Sequence, residues 1–144
     1  MPENNVFIED LNTNAYFATD ASLRAVGWLE QGHDYRKGTV PKKLLTKLIQ
    51  HLAKGYQPVN YRGKHACDMC KNGFDGFRNL LIPAGGLLFV APELILHYME
   101  QHGYRPPDMF IDAVMACPEP VSPAYLELFT PFKRLWDIIS KENP

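Results

Sequence analysis

The sequence predicts an α+β fold, mostly helical, with short β-hairpins, and three observations lead there. Leu44, Leu45, Leu48, Ile49 and Leu52 recur at the helical period. Two apolar runs, Arg78 to Pro83 and Leu87 to Ala91, flank Ala84-Gly85-Gly86, the pattern of a β-hairpin. Twelve prolines imply short elements joined by stiff turns rather than a few long helices. The 144 residues read as a single domain spanning 1–144, long enough to bury a core of its own.

In chain order, Met1 to Asp10 is polar and reads as loose. Asn14 to Leu29 holds Ala15-Tyr16-Phe17 and Ala25-Val26-Gly27-Trp28-Leu29 around Thr19-Asp20-Ala21-Ser22, so two short strands or one hairpin are expected. Gln31 to Gly38 is polar loop. Pro41 to Ala53 is the clearest helix, with proline at its first position and Gly55 where a C-terminal cap belongs. His51 on it is expected to be exposed. Pro58 to Lys64 reads as extended, and Asn72-Gly73 as a turn. After the hairpin, Pro92 is expected to open a helix with Glu93 in its first turn and Gly103 closing it.

Beyond Arg105-Pro106-Pro107, Asp108 to Cys117 should form a short helix with Phe110, Val114 and Cys117 inward, ended by Pro118 and Pro120. Ser122-Pro123 is a cap followed by a first-turn proline, and Thr130-Pro131 repeats the device, giving two helices or one kinked one. Its apolar stripe comprises Tyr125, Leu126, Phe129, Phe132, Leu135, Trp136 and Ile139. These residues complete the core or, alternatively, form a groove for a partner.

The charge balance is close to neutral, with 15 basic and 16 acidic residues. A basic excess is the usual mark of nucleic-acid binding, because phosphate contacts supply much of the affinity. Lys37, Lys42, Lys43, Lys47 and Lys54 do cluster, which reads first as a solvated helix face. The polar N-terminus carries no signal-peptide pattern, and the longest apolar run, Asn79 to Ala91, is broken by Pro83, Gly85 and Gly86. No membrane association is expected. A reducing cytoplasm is the expected location, and there paired cysteines favour metal over a disulfide.

The chemistry of the chain is concentrated in Cys67-x2-Cys70 and His97-x4-His102. Two thiolates and two imidazoles suit a closed tetrahedral zinc site. The tight Cys-x2-Cys turn aims two sulfurs at one point, the hairpin returns the chain, and the following helix presents the histidines. Residues five apart on a regular helix point about 140° apart. The last turn must therefore deform, and Gly103 permits this. His65 is an alternative ligand. Buried free thiols and a redox pair are the competing readings, the latter disfavoured because Cys70 runs into Lys71-Asn72-Gly73 rather than opening a helix.

Catalytic zinc keeps an open coordination position, whereas this set closes it. The deaminase His-x-Glu and metalloprotease His-Glu-x2-His patterns are absent, as is Gly-x-Ser-x-Gly. Gly85-Gly86 lacks the following Lys-Ser/Thr of a phosphate loop. His33, Asp34 and Tyr35 form either a polar site or a turn anchored by its aromatic residue. Cys117 reads as a small buried hydrophobe.

Turn, hairpin and helix in this order make Arg62 to Tyr104 resemble a treble-clef zinc finger. Gly27-Trp28-Leu29, Gly32-His33-x-Tyr35, Gly63-x-His65-x-Cys67-x2-Cys70 and His97-Tyr98-x3-His102-x-Tyr104-x-Pro106-Pro107 resemble a family of small uncharacterised bacterial proteins. That resemblance implies a bacterial cytosolic protein with a Cys/His site, and it assigns no catalytic residue.

The expected function is that of a non-catalytic zinc-binding protein that engages another protein. An immunity protein that binds and inhibits a toxin is the narrower form. A nucleic-acid-binding regulator is the alternative, and requires the lysines from Lys37 to Lys54 to share a face with Arg62 and Lys64. A treble-clef nuclease using His65 or His33 is the third reading.

Overall fold

The computed structural model describes residues 7–15, 18–54, 65–70, 75–76, 78–135 and 137. At its centre lies the expected hairpin, β6 (Asn79–Ala84) and β7 (Leu87–Pro92), paired in register from Asn79↔Pro92 to Ala84↔Leu87. Nearly every residue of both strands is buried, the pattern of a sheet covered on both faces. Pro83 is tolerated because β6 is an edge strand.

A third strand, β3 (Leu23–Ala25), joins parallel to β7, with Leu23 opposite Leu88. The N-terminal expectation is thus corrected. The hairpin there pairs β1 (Asn14–Ala15) with β2 (Ala18–Thr19), and Tyr16 and Phe17 fall outside the described residues. Val26 to Leu29 is buried but is not a strand, save for one bridge from Trp28 to Ile8. The Trp28 indole instead donates to the Val90 carbonyl at 3.0 Å, satisfying its N–H inside the core. Residues 8–10 are likewise not loose. Ile8 is buried, and Asp10 accepts from Gly27 N at 3.0 Å and from the Tyr104 hydroxyl at 2.8 Å.

The first helix, α1 (Lys42–Lys54), packs on β6 and on a later helix, α3 (Asp108–Ala116). Its inward face is rotated from the expected one. Leu44, Leu48 and His51 are buried, while Ile49 is 53% exposed. His51, expected at the surface, lies against Tyr125 with ring centroids 5.8 Å apart. Burial, and next the charge of Lys47, lowers its pKa to about 4. Gly55 and Pro58 to Lys64 lie outside the described residues, as does Asn72-Gly73.

α3 ends where expected, because Cys117 is extended (φ −69°, ψ 133°) before Pro118. Phe110, Val114 and Cys117 are inward, and Cys117 is a buried free thiol. α4 (Pro123–Phe129) starts on a Ser122 cap whose hydroxyl accepts from Tyr125 N at 3.2 Å. Thr130-Pro131 marks the junction between α4 and further helical residues at 133–135 and 137, in keeping with the expected pair of helices or kinked helix. It forms a 3-10 turn, Thr130–Phe132, in which the Thr130 hydroxyl donates back to the Leu126 carbonyl. Tyr125, Phe129 and Phe132 are buried and complete the core, so they do not line a partner groove. Leu126 is on the outer side, and Trp136 and Ile139 lie outside the described residues.

Among the described residues the architecture is mixed α+β: α1, α3, α4 and, after the hairpin, α2 (Ile95–Gln101) lie around a small three-stranded sheet. No helix among the described residues is long and apolar enough to cross a membrane.

Candidate metal centre

The first pair of candidate ligands sits on a short excursion before the central hairpin. β4 (His65–Ala66) and β5 (Asp75–Gly76) pair antiparallel, and Cys67 to Cys70 follows β4 as a turn. Gly76 brings this excursion close to the entry of α2. A Cβ there would lie 2.9 Å from Glu93 Cγ, so any larger residue would push the two apart. Cys67 is 4% exposed, and Cys70 is partly exposed.

The second pair sits on α2. This helix starts at Ile95, three residues later than expected, because the β6–β7 ladder runs on through Pro92. Glu93 N donates to the Arg78 carbonyl at 2.9 Å, and the Glu93 carboxylate accepts from Arg78 N at 3.2 Å. Glu93 therefore caps the strand end rather than occupying the first helical turn. The geometric problem of His97-x4-His102 is resolved at the helix terminus, as expected. His102 leaves the helical region (φ −123°, ψ 8°), and Gly103 takes a left-handed conformation (φ 66°). Both His102 N and Tyr104 N then donate to the Tyr98 carbonyl. The two imidazole rings come within 5.0 Å, centroid to centroid.

The four side chains converge. Cys67 Sγ lies 3.4 Å from His102 Nε2, and Cys70 Sγ lies 3.4 Å from His97 Nε2. All four donor atoms fall within 4.8 Å of one another. A tetrahedral ion with ordinary Zn–S and Zn–N bonds separates sulfur from nitrogen by about 3.5 Å. The donor types and their spacing thus fit such an ion, and these residues can hold a metal of Cys2His2 type. Two thiolates would neutralise a divalent charge. Without that charge, burial pushes the Cys67 thiol up to about 11. Burial also lowers the pKa of His97, favouring the neutral imidazole that metal binding requires. His65 lies in β4, and its side chain is not among those described.

A segment far away in sequence holds the centre from outside. Gln31 N donates to Asp68 Oδ1, inside the cysteine turn, at 2.9 Å. The Tyr35 hydroxyl donates to the His102 carbonyl at 2.8 Å. Gly38 N donates to the Gly103 carbonyl, and Arg105 N to the Arg36 carbonyl. The Gly32-His33-x-Tyr35 stretch is thus anchored by Tyr35, and it also lines an open depression of about 490 Å³ with Gly32, His33, Asp34 and Lys37. His33 is bound to Glu30 at 3.3 Å and stacks on Phe7 at 3.9 Å.

Asp10 and Tyr104 were not foreseen as part of this support. Tyr104 is fully buried one residue beyond Gly103, and its bond to Asp10 ties α2's exit to the N-terminal segment. Burial raises the Asp10 pKa despite the donors from Gly27 and Tyr104. Of the lysine cluster, Lys42, Lys43 and Lys54 are exposed on α1, whereas Lys47 donates to the Cys117 carbonyl at 3.1 Å. Lys37 is off the helix, over the Tyr35 ring. Arg62 and Lys64 are not described.

No curated protein and no solved structure matches the chain. The family model for "Domain of unknown function (DUF7919)" matches residues 6–115, more than half of the chain and inclusive of all four converging side chains, and the chain belongs to that family.

Proposed function

We propose that this domain is a non-catalytic, cytosolic interaction protein whose shape depends on a structural zinc ion held by Cys67, Cys70, His97 and His102. The single observation that carries the metal reading is the pair of 3.4 Å sulfur–nitrogen approaches within one four-donor cluster. Zinc is favoured over other first-row ions by two thiolates and two imidazoles in a set suited to tetrahedral geometry. Turn, hairpin and helix follow one another as in a treble-clef finger, which supports that classification. Four protein ligands fill a tetrahedral ion, leaving no position for substrate or activated water, and this favours structure over catalysis.

The interaction role rests on exposed apolar side chains and on the balanced charge. Ile49, Met109, Val121, Leu126 and Leu128 are large, apolar and exposed. A toxin-inhibiting immunity protein is the narrower form of this reading. The alternative is nucleic-acid binding through exposed Lys42, Lys43 and Lys54 on α1.

Metal analysis of protein purified without added metal tests the first claim. About one zinc ion per chain is expected. No bound metal, with folding unchanged in the Cys67→Ser, Cys70→Ser double variant, would overturn it. Purification from native cells tests the second. A specific protein partner lost on replacing Leu126 and Leu128 with Asp supports it, whereas salt-sensitive DNA binding lost on replacing Lys42 and Lys43 supports the alternative.

A further inference from the structure

The four donors differ in their access to water. Cys67 and His97 are 4% and 5% exposed, while Cys70 and His102 lie on the partly open side. Each sulfur–nitrogen approach therefore joins one buried and one accessible group. The two cysteines are three residues apart in one turn, with their sulfurs inside the 4.8 Å cluster, so closing a disulfide needs only local movement. The third cysteine, Cys117, is 4% exposed and is not part of the cluster.

The support around the centre is bonded to the same turn and helix end. Asp68 stands between the two cysteines and accepts from Gln31 N. His102 gives its carbonyl to the Tyr35 hydroxyl, and Gly103 gives its own to Gly38 N. Residues 31–38 are thus fastened at both ends to the two halves of the cluster. Gly32, His33, Asp34, Tyr35 and Lys37 of this strap line the open depression.

We propose that Cys67 and Cys70 form a redox-reversible latch: their oxidation by hydrogen peroxide to a disulfide releases the metal and frees the strap 31–38. This rests on the zinc reading. The Cys70 thiolate, the more accessible, attacks one peroxide oxygen. The O–O bond breaks, Cys70 becomes a sulfenic acid, and the departing hydroxide takes a proton to become water. The Cys67 thiolate then attacks the Cys70 sulfur, forming the S–S bond and expelling a second hydroxide, which also takes a proton. Two thiolates, one hydrogen peroxide and two protons become one disulfide and two waters. The sulfurs lose two electrons and the peroxide gains them. A disulfide has no thiolate charge to offer, so two histidines alone hold a divalent ion poorly.

The test uses the full chain carrying Cys117→Ser, which leaves Cys67 and Cys70 as its only thiols. The protein is loaded with zinc, exposed to hydrogen peroxide and then treated with dithiothreitol plus zinc. Release is read with a zinc-binding chromophore, thiols by titration, and the strap by hydrogen exchange at the amides of Gln31, Gly38 and Arg105. One zinc is expected to leave per two thiols lost, with exchange at those amides about tenfold or more faster, all reversed by reductant and zinc. If Cys117→Ser fails to fold, the parent chain is used and the disulfide is located by peptide mass mapping.

A chain that takes up no zinc ends both the metal reading and the latch. Zinc retained under peroxide, thiols driven to sulfinic acid without a disulfide, or release that leaves the three amides protected would each overturn the latch and leave the zinc reading standing.

Discussion

The Cys2His2 cluster and the helical layer are built from opposite chemistry. Around the sheet, α1, α3 and α4 bury Leu44, Leu48, Phe110, Val114, Tyr125 and Phe129, and buried polar atoms among them find partners across the core. The Tyr125 hydroxyl, for example, donates to the Leu81 carbonyl at 2.7 Å. Apolar contact of this kind needs only exclusion of water. Beside the cluster, β4 and β5 have two residues each, and the cluster itself is four polar side chains turned toward one another, two following β4 and two at α2 and its end. Neutral thiols and imidazoles at these distances can hydrogen-bond each other, whereas two thiolates there need a positive charge beside them. One region is stable by apolar packing, and the other offers a donor set that can hold a metal ion.

Metal removal is the largest expected break in this comparison. Chelation should lower the melting temperature strongly, since such sites contribute on the order of 10 kcal/mol in isolated fingers. The loss should be smaller here, because the sheet and helices keep their own core. Hydrogen exchange should accelerate at 65–70, 75–76 and 95–105 while amides of β6, β7 and α1 stay protected. Equal loss of protection throughout would show that the two regions are one cooperative unit.

The reverse break uses Phe129, which is fully buried between Tyr125 and Phe132, with ring centroids 6.2 and 5.9 Å away. Phe129→Ala should cost about 3–5 kcal/mol by removing aromatic contacts and leaving a cavity. Zinc stoichiometry in the folded protein should be unchanged. Urea unfolding with parallel zinc analysis reads both quantities.

The two regions also differed in how far the sequence exposed them. Cys67, Cys70, His97 and His102 were legible because metal chemistry restricts residue type and spacing together. The distortion at His102 was legible because a helix of fixed period cannot bring residues five apart to one point. The face of α1 was not. Five aliphatic residues drew a wide stripe that included Ile49, yet burial follows Leu44, Leu48 and His51, which lie within about 60° around the axis. A histidine carries no mark of burial in sequence. The parallel pairing of β3 with β7 joins Leu23 to Leu88, and the Asp10–Tyr104 bond spans 94 residues. Contacts of such separation are set by the packed core, and no local pattern announces them. Pro92 misled because proline suits both a first helical turn and a strand end.

His51 gives the helical layer an acid sensitivity that the sequence did not suggest. Its pKa is lowered from 6.5 to about 4 by burial, then by Lys47. Between these two values the unfolded chain binds the proton and the folded chain does not. Stability contributed by the neutral ring is therefore full above pH 6.5, falls as pH drops through the window and is gone below about 4. The difference is about 3 kcal/mol. His51→Phe should remove this dependence, so that the gap between the two proteins' urea midpoints changes with pH only inside the window. A gap that is constant from pH 7 to 4 would place His51 in water.

The smallest effects compare single hydrogen bonds in each region. Tyr104→Phe removes the donor to Asp10, a carboxylate already raised in pKa by burial, and leaves an under-satisfied group inside. That should cost about 1–3 kcal/mol and raise the Asp10 pKa further, so the loss should be greater at pH 7 than at pH 4, where the carboxyl can protonate. Ser122→Ala removes the cap of α4, whose Tyr125 N–H can turn to water at a half-exposed helix start. It should cost about 1 kcal/mol with no pH dependence. Urea unfolding of both variants at the two pH values separates them. Should Ser122→Ala prove the costlier, the buried Asp10–Tyr104 bond would contribute less to stability than its geometry implies.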